Sequence, residues 1–327
     1  MKPERDWAFI DCLCACEVTE EFIRRCIDGG VAAINKCIGT DETMYQAIKC
    51  VCDYKDFIAK HGDIASLVLE PDDVGTAAAR NKLGILMGFQ NTLPLEYDAR
   101  LVDVYEAVGV RIIQLTYNYR NLVGVGVMEE APGGISEFGR EVIHRLNDRG
   151  VIIDLSHGCE QTVLEALEIT KAPLMVSHAC CRAVHDTLRN VSDTVLKKLR
   201  EKKSLIGCAA FSAFIKPGMM QNTLDEMIDH IDHMVDVAGI DNVVIGGDQT
   251  EGRTEAEFFA YNYKPSVIPP WPWPYTKDFE ATYKIENLVN ALVKRGYSMT
   301  DINKITKDNF LRLFRAVRAY KHKAEGR

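Results

Sequence analysis

The chain has 327 residues, and 47% of them are apolar, enough for a full packed core. A formal net charge of −8 at pH 7 excludes the basic surface that nucleic-acid binding needs. No apolar run reaches the roughly 18 residues of a membrane span, and the charged start MKPERDWAFIDC lacks the apolar segment of a secretion signal. We therefore expect no nucleic-acid and no membrane partner, and a soluble, cytoplasmic protein whose eleven cysteines are reduced.

Taken in order, short apolar runs rich in Val, Ile and Leu predict strands at 7–14, 31–38, 66–69, 83–89, 111–116, 151–155, 174–176, 205–211 and 242–245. Stretches with helical spacing of apolar residues lie between them, including an insertion at about 42–60. Gly109, Gly150 and Gly239 each close a helical pattern just before a strand. On the first strand a period of two puts Cys12, Cys14 and Cys16 on one face, and their spacing is not that of a zinc finger. Strand and helix alternate from end to end, which predicts an α/β fold with a parallel sheet and helices outside it. Nine strands are one more than a (β/α)8 barrel needs, and 66–69, which is short and adjoins the helical insertion, is the candidate for the extra one. A doubly wound sheet is the alternative, although no GxGxxG follows the first strand.

The segment 150–178 carries the strongest functional signal. It reads as strand, helix, strand, and both strands end in Ser-His, at His157 and His178. Neighbouring parallel strands that deliver a histidine from the same end bring two imidazoles together, at the end where barrels build their sites. Imidazole suits zinc and neighbouring first-row metals. Other strand ends supply Gln90, Tyr117, Asn118 and Asp248. Arg189, in the loop after His178, has the chemistry to clamp a carboxylate through two parallel hydrogen bonds. His230 and His233, on the helix before the last strand, read as structural. Residues 124–134 (GVGVMEEAPGG) predict a mobile loop over the site. The Pro-rich 255–283, with Pro269, Pro270, Trp271 and Trp273, reads equally as a substrate lid or a packing strap.

Several of these stretches together resemble the renal (membrane) dipeptidase family of metal-dependent peptidases, an amidohydrolase-like group. The matching pieces are GVRIIQLTYNYRN, GGISEFGREVIHRLNDRGVIIDLSH, PLMVSHACCRAVHDTLRNVSD, IDHIDHMVDVAGIDNVVIGGDQTEG and ENLVNALVKRGYSMTDINKITKDNFLRLF. The resemblance implies one (β/α)8 TIM-like barrel domain over 1–327, with C-terminal helices at about 284–325 packed on it, and a homodimer or higher homo-oligomer. It also implies two zinc ions held by a His-x-Asp, a bridging Glu and the two Ser-His histidines. His157 and His178 match. The His-x-Asp falls on Leu13 and Ala15, the bridging Glu on Gln90, and the substrate-polarising His on Tyr117, whereas Arg189 and Asp248 keep their positions.

Two cations about 3.5–4 Å apart need bridging negative charge, so we expect no binuclear centre. The expected protein is a divergent metallohydrolase with one divalent metal, zinc, on His157 and His178, acting on a small, possibly peptide-like substrate with a carboxylate. Asp248 and Tyr117 are the expected catalytic residues; Arg189, Gln90 and Asn118 are expected to bind substrate. A shift in register would instead bring Cys12, Cys14 or Cys16 to the vacated ligand positions. The alternatives are a non-catalytic ligand-binding or assembly relative, and a metal-independent acid/base enzyme in the same barrel.

Overall fold

A computed structural model describes residues 5–218, 220–259, 271–324 and 326. Its strands are β1 (Phe9–Cys14), β2 (Val31–Gly39), β3 (Ala65–Leu67), β4 (Leu83–Phe89), β5 (Val110–Gln114), β6 (Ile152–Asp154), β7 (Met175–Ala179), β8 (Leu205–Cys208) and β9 (Val243–Ile245). All pairings are parallel, in the order β1-β2-β4-β5-β6-β7-β8-β9. The extra strand is the one the sequence singles out. β3 lies beside the first half of β4, opposite Leu83–Ile85, while β5 takes the second half from Met87 onward. The remaining eight strands form a nearly closed (β/α)8 barrel. Asp248 N–H donates to Leu13 O at 3.0 Å across the seam between β9 and β1.

The strands are legible as apolar runs because helices cover their outer face and side chains fill the inside. Gly150, at φ +64°, ends the helix Glu137–Arg149 as predicted, and the Ser192 hydroxyl caps the helix Asp193–Glu201. β8 is shorter than the run 205–211 predicts. Beyond it Ala209 and Ala210 N–H still reach Ala179 O and Gly247 O, but a returning segment takes the carbonyl side: Thr276 N–H donates to Ala210 O at 2.8 Å, and Phe211 pairs with Tyr275. The base of the barrel is sealed by the final helix, Asn309–Ala324, whose Phe310, Leu313, Phe314 and Val317 pack against Ile10, Ala33, Leu86, Ile112, Ile152 and Val244. Among the described residues no helix is long and apolar enough to cross a membrane.

Asp11 is the one charged residue of β1, and it is fully buried. Its carboxylate accepts Leu13 N–H at 3.1 Å, Gly247 N–H at 3.0 Å and the Thr282 hydroxyl at 2.9 Å, tying the barrel seam to the segment that follows it. Burial pushes this carboxyl up to about 7, although the three hydrogen bonds favour the charged form. The folded chain therefore holds the proton more tightly than an unfolded aspartate, whose value is near about 3.9. Stability from this group is complete below the unfolded value and is lost as pH rises through about 7. An asparagine keeps both N–H bonds on its oxygen and turns its NH2 to Thr282. Asp11→Asn should thus melt above the wild type at about pH 8 and lose that advantage near about pH 4. A variant that melts lower at both would refute this reading.

Candidate active site

The two Ser-His ends meet as the sequence predicts. His157 Nε2 and His178 Nε2 are 3.0 Å apart, and both rings are buried. Each ring is anchored through its other nitrogen: His157 Nδ1 lies 2.9 Å from Asn118 Oδ1, and His178 Nδ1 lies 2.7 Å from Ser177 Oγ. The Asn118 oxygen has only lone pairs to offer, so His157 carries its proton on Nδ1 and points a lone pair at His178. Burial holds both imidazoles well below their ordinary pKa, and the nearby Arg189 cation adds to it. The rings are therefore neutral, the form that ligates a metal.

Tyr117, Asn118 and Arg189 lie beside this pair. Tyr117 stacks on His157 with ring centres 4.2 Å apart and planes 20° apart. Arg189 is buried beside the site, donates to Ser156 O and lies over the Phe214 ring at 4.8 Å. Asn118, expected to touch substrate, gives its oxygen to His157, while its buried Nδ2 has no hydrogen-bond partner among the described residues. Asp248 takes a left-handed backbone conformation, φ +56°, which a short polar side chain tolerates. Burial raises its carboxyl to about 7; Arg189 works against the shift, and Asp11 and Asp154 add to it.

Leu13 and Ala15 stand at the end of β1, where the His-x-Asp of the resemblance falls. Ala15 lines a cavity of about 220 Å³ together with Cys37, Glu42, Gln90, Tyr117 and Arg253. The Gln90 oxygen accepts the Cys37 thiol at 3.2 Å. Two apolar residues and a neutral amide do not fit a two-ion centre, which needs negative bridging ligands. Cys12, Cys14 and Cys16 are fully buried in the core, where the Cys16 thiol donates to Gln249 O at 3.2 Å. Burial pushes the Cys12 thiol well up, and the Cys14 thiol and burial do the same for Cys16. A single ion fits better. Two nitrogens about 2.0–2.1 Å from one tetrahedral metal sit about 3.3 Å apart, a small spreading of the 3.0 Å between the two Nε2 atoms. No group of three or more His, Cys, Asp or Glu side chains arranged for a metal occurs among the described residues. Further ligands of such an ion would be solvent or substrate.

The surrounding loops differ from expectation in one respect. Residues 124–134 are pinned to the site: Val127 N–H donates to His157 O and Met128 N–H to Asn118 O, each at 2.8 Å. The loop braces the backbones of His157 and Asn118. Of 255–283, Pro269 and Pro270 lie outside the described residues. The part after them straps the end of β8, with Trp273 against Phe211 at 5.6 Å between ring centres. His230 and His233 are tied into the helical layer, the first to Ile215 O at 2.9 Å and the second to Asp193 at 2.7 Å. Sequence reasoning overlooked Asp154, whose carboxylate sits between the two serines. The signal was present: a charged residue inside the apolar run VIIDL.

The backbones at this end are crowded. A Cβ on Gly207 would lie 1.8 Å from Ser177 O, and one on Gly246 would lie 2.1 Å from the same atom.

A family model described as membrane dipeptidase (peptidase family M19) matches residues 26–257 and 274–327. The dipeptidase tcpJ of Claviceps purpurea (strain 20.1) is 27% identical over 259 residues, which cover 79% of this chain and 56% of that protein. An uncharacterised dipeptidase of Schizosaccharomyces pombe is 34% identical over 183 residues, 54% of this chain and 44% of its own length. The chain spans about half the length of the curated relatives it matches. Among solved structures, an amidohydrolase from Pseudomonas aeruginosa superposes with a TM-score of 0.90 at 29% identity, covering 95% of this chain and 97% of that one. A metallo peptidase from Rhodobacter sphaeroides, liganded with a phosphinate mimic of the dipeptide L-Ala-D-Ala, has the same fold, with a TM-score of 0.79 at 15% identity, covering 95% and 99%. With most of its length matched and the barrel shared, the chain belongs to the membrane dipeptidase family, peptidase family M19.

Proposed function

We propose that the chain is a hydrolase using one divalent metal, zinc, on His157 and His178, to cleave an amide or related bond in a small peptide-like substrate that bears a carboxylate. The observation that supports this most is the pair of neutral imidazoles with Nε2 atoms 3.0 Å apart, each fixed through Nδ1. Two Nε2 lone pairs at that distance repel unless a proton or a cation lies between them. A bound metal would polarise the substrate carbonyl and acidify water.

The chain's own residues supply the rest. The Arg189 guanidinium grips the substrate carboxylate, with Phe214 holding its plane. Asp248 takes a proton from water and returns it to the leaving nitrogen, a task suited to a carboxyl near about 7. The Tyr117 hydroxyl donates to the substrate carbonyl. The unpartnered Nδ2 of Asn118 and the Gln90 amide offer further donors to the substrate. A homodimeric or larger assembly belongs to the same proposal. The free state of all eleven cysteines supports a reducing, cytoplasmic setting.

The test is metal analysis of protein purified without chelator, followed by a dipeptide panel with and without zinc. We expect about one zinc per chain and hydrolysis whose kcat/KM rises as pH passes through about 7, because Asp248 must be ionised to act as base. Asp248→Asn should abolish that rise. Protein that binds no metal and cleaves nothing would sink the proposal. Cleavage that persists without metal would favour acid/base chemistry alone.

A further inference from the structure

The two Ser-His strand ends share one buried carboxylate. Asp154, the last residue of β6, is 1% exposed. Its Oδ1 accepts Ser156 N–H at 3.1 Å, Ser177 N–H at 3.0 Å and the Ser156 hydroxyl at 2.6 Å. Its Oδ2 accepts the Ser177 hydroxyl at 2.5 Å. Ser156 Oγ in turn accepts the backbone N–H of His178 at 3.1 Å. Four hydrogen bonds converge on a carboxylate that touches neither imidazole, and both serines it holds adjoin one.

We propose that Asp154 is a positioning residue for the metal site, acting through Ser177 to keep the proton of His178 on Nδ1 and its Nε2 lone pair aimed at His157. The protons along the chain of contacts fix this arrangement. With Asp154 ionised, Ser177 gives it its only hydroxyl hydrogen, and the serine oxygen has only lone pairs left. His178 Nδ1, 2.7 Å away, must then be the donor. The imidazole is left with its lone pair on Nε2, facing the lone pair that Asn118 fixes on His157. One side of the site is set by an amide, the other by a carboxylate acting through a hydroxyl. Such outer hydrogen bonds decide which ring nitrogen is available to a metal and how basic it is. What the converging lone pairs hold rests on the proposed function; the tautomer of His178 does not.

Two serine variants separate this role from simple packing. Ser156→Ala and Ser177→Ala each delete one hydroxyl that Asp154 accepts, but only Ser177 reaches an imidazole. The first arm needs no metal. In metal-free His157→Ala protein the opposing lone pair is gone, and nitrogen-15 NMR of the His178 ring should report the Nδ1–H form. Adding Ser177→Ala should shift it towards the Nε2–H form, whereas adding Ser156→Ala should not. The second arm is zinc affinity by chelator competition in otherwise wild-type protein. Ser177→Ala should weaken binding by about 10–100-fold, the usual cost of losing an outer partner of a ligating histidine, and Ser156→Ala should weaken it far less. His178 found as Nε2–H in the single variant, or equal effects of the two serines in either arm, would overturn the proposal. If the wild type binds no zinc, the proposed function fails, and the first arm still decides the role of Asp154.

Discussion

Alanine at either His157 or His178 should empty the proposed metal site. Each ring supplies one of only two side-chain donors, and a lone imidazole cannot retain an ion that ordinarily takes three protein ligands. The variants should purify without stoichiometric zinc, and kcat/KM should fall by about a thousandfold or more, since Lewis-acid stabilisation is worth several kcal/mol. Both side chains are buried but short of the packed base of the barrel, so the variants should still fold. Elemental analysis together with kinetics at saturating zinc checks this. A His178→Ala protein with full metal content and ordinary turnover would show that the ion, if any, lies elsewhere.

The largest effect on stability is expected at the opposite end of the barrel. Phe314 is fully buried, and its ring centre lies 6.1 Å from that of Phe310 in the plug formed by the final helix. Interiors this closely packed relax only partly around a deleted ring. Phe314→Ala should cost about 3–5 kcal/mol and lower the melting temperature by roughly 10 °C. The site lies at the carboxyl ends of the strands, away from this plug, so the protein that remains folded should keep its turnover. Thermal unfolding paired with activity at a temperature below the transition tests both halves. A loss below about 1 kcal/mol would mean that neighbouring side chains collapse into the space.

Much of the barrel and part of the site can be read from residues alone. Val, Ile and Leu runs mark strands because both faces of each strand are covered, and the two Ser-His doublets mark a meeting point because β6 and β7 are parallel neighbours. Other features escape for physical reasons. The segment 124–134 has no apolar period, and the bonds that pin it run back to Asn118 O, just before it, and forward to His157 O, well beyond it in sequence. The end of β8 is decided by Tyr275 and Thr276, far along the chain. Asp154 was visible as a polar break in an apolar run, but its partner Ser177 lies on the next strand. A charged residue placed within a buried run deserves a search for what it holds.

The crowding at Ser177 O carries a lesson for anyone redesigning this barrel. Gly207 and Gly246 contribute no functional group, yet a methyl at either would push the Ser177 carbonyl aside and drag the neighbouring His178 ring out of line. A saturation library scored on turnover would record both positions as intolerant and invite a chemical explanation. The cause would be steric: they are the clearance that lets three backbones converge beneath the reacting groups.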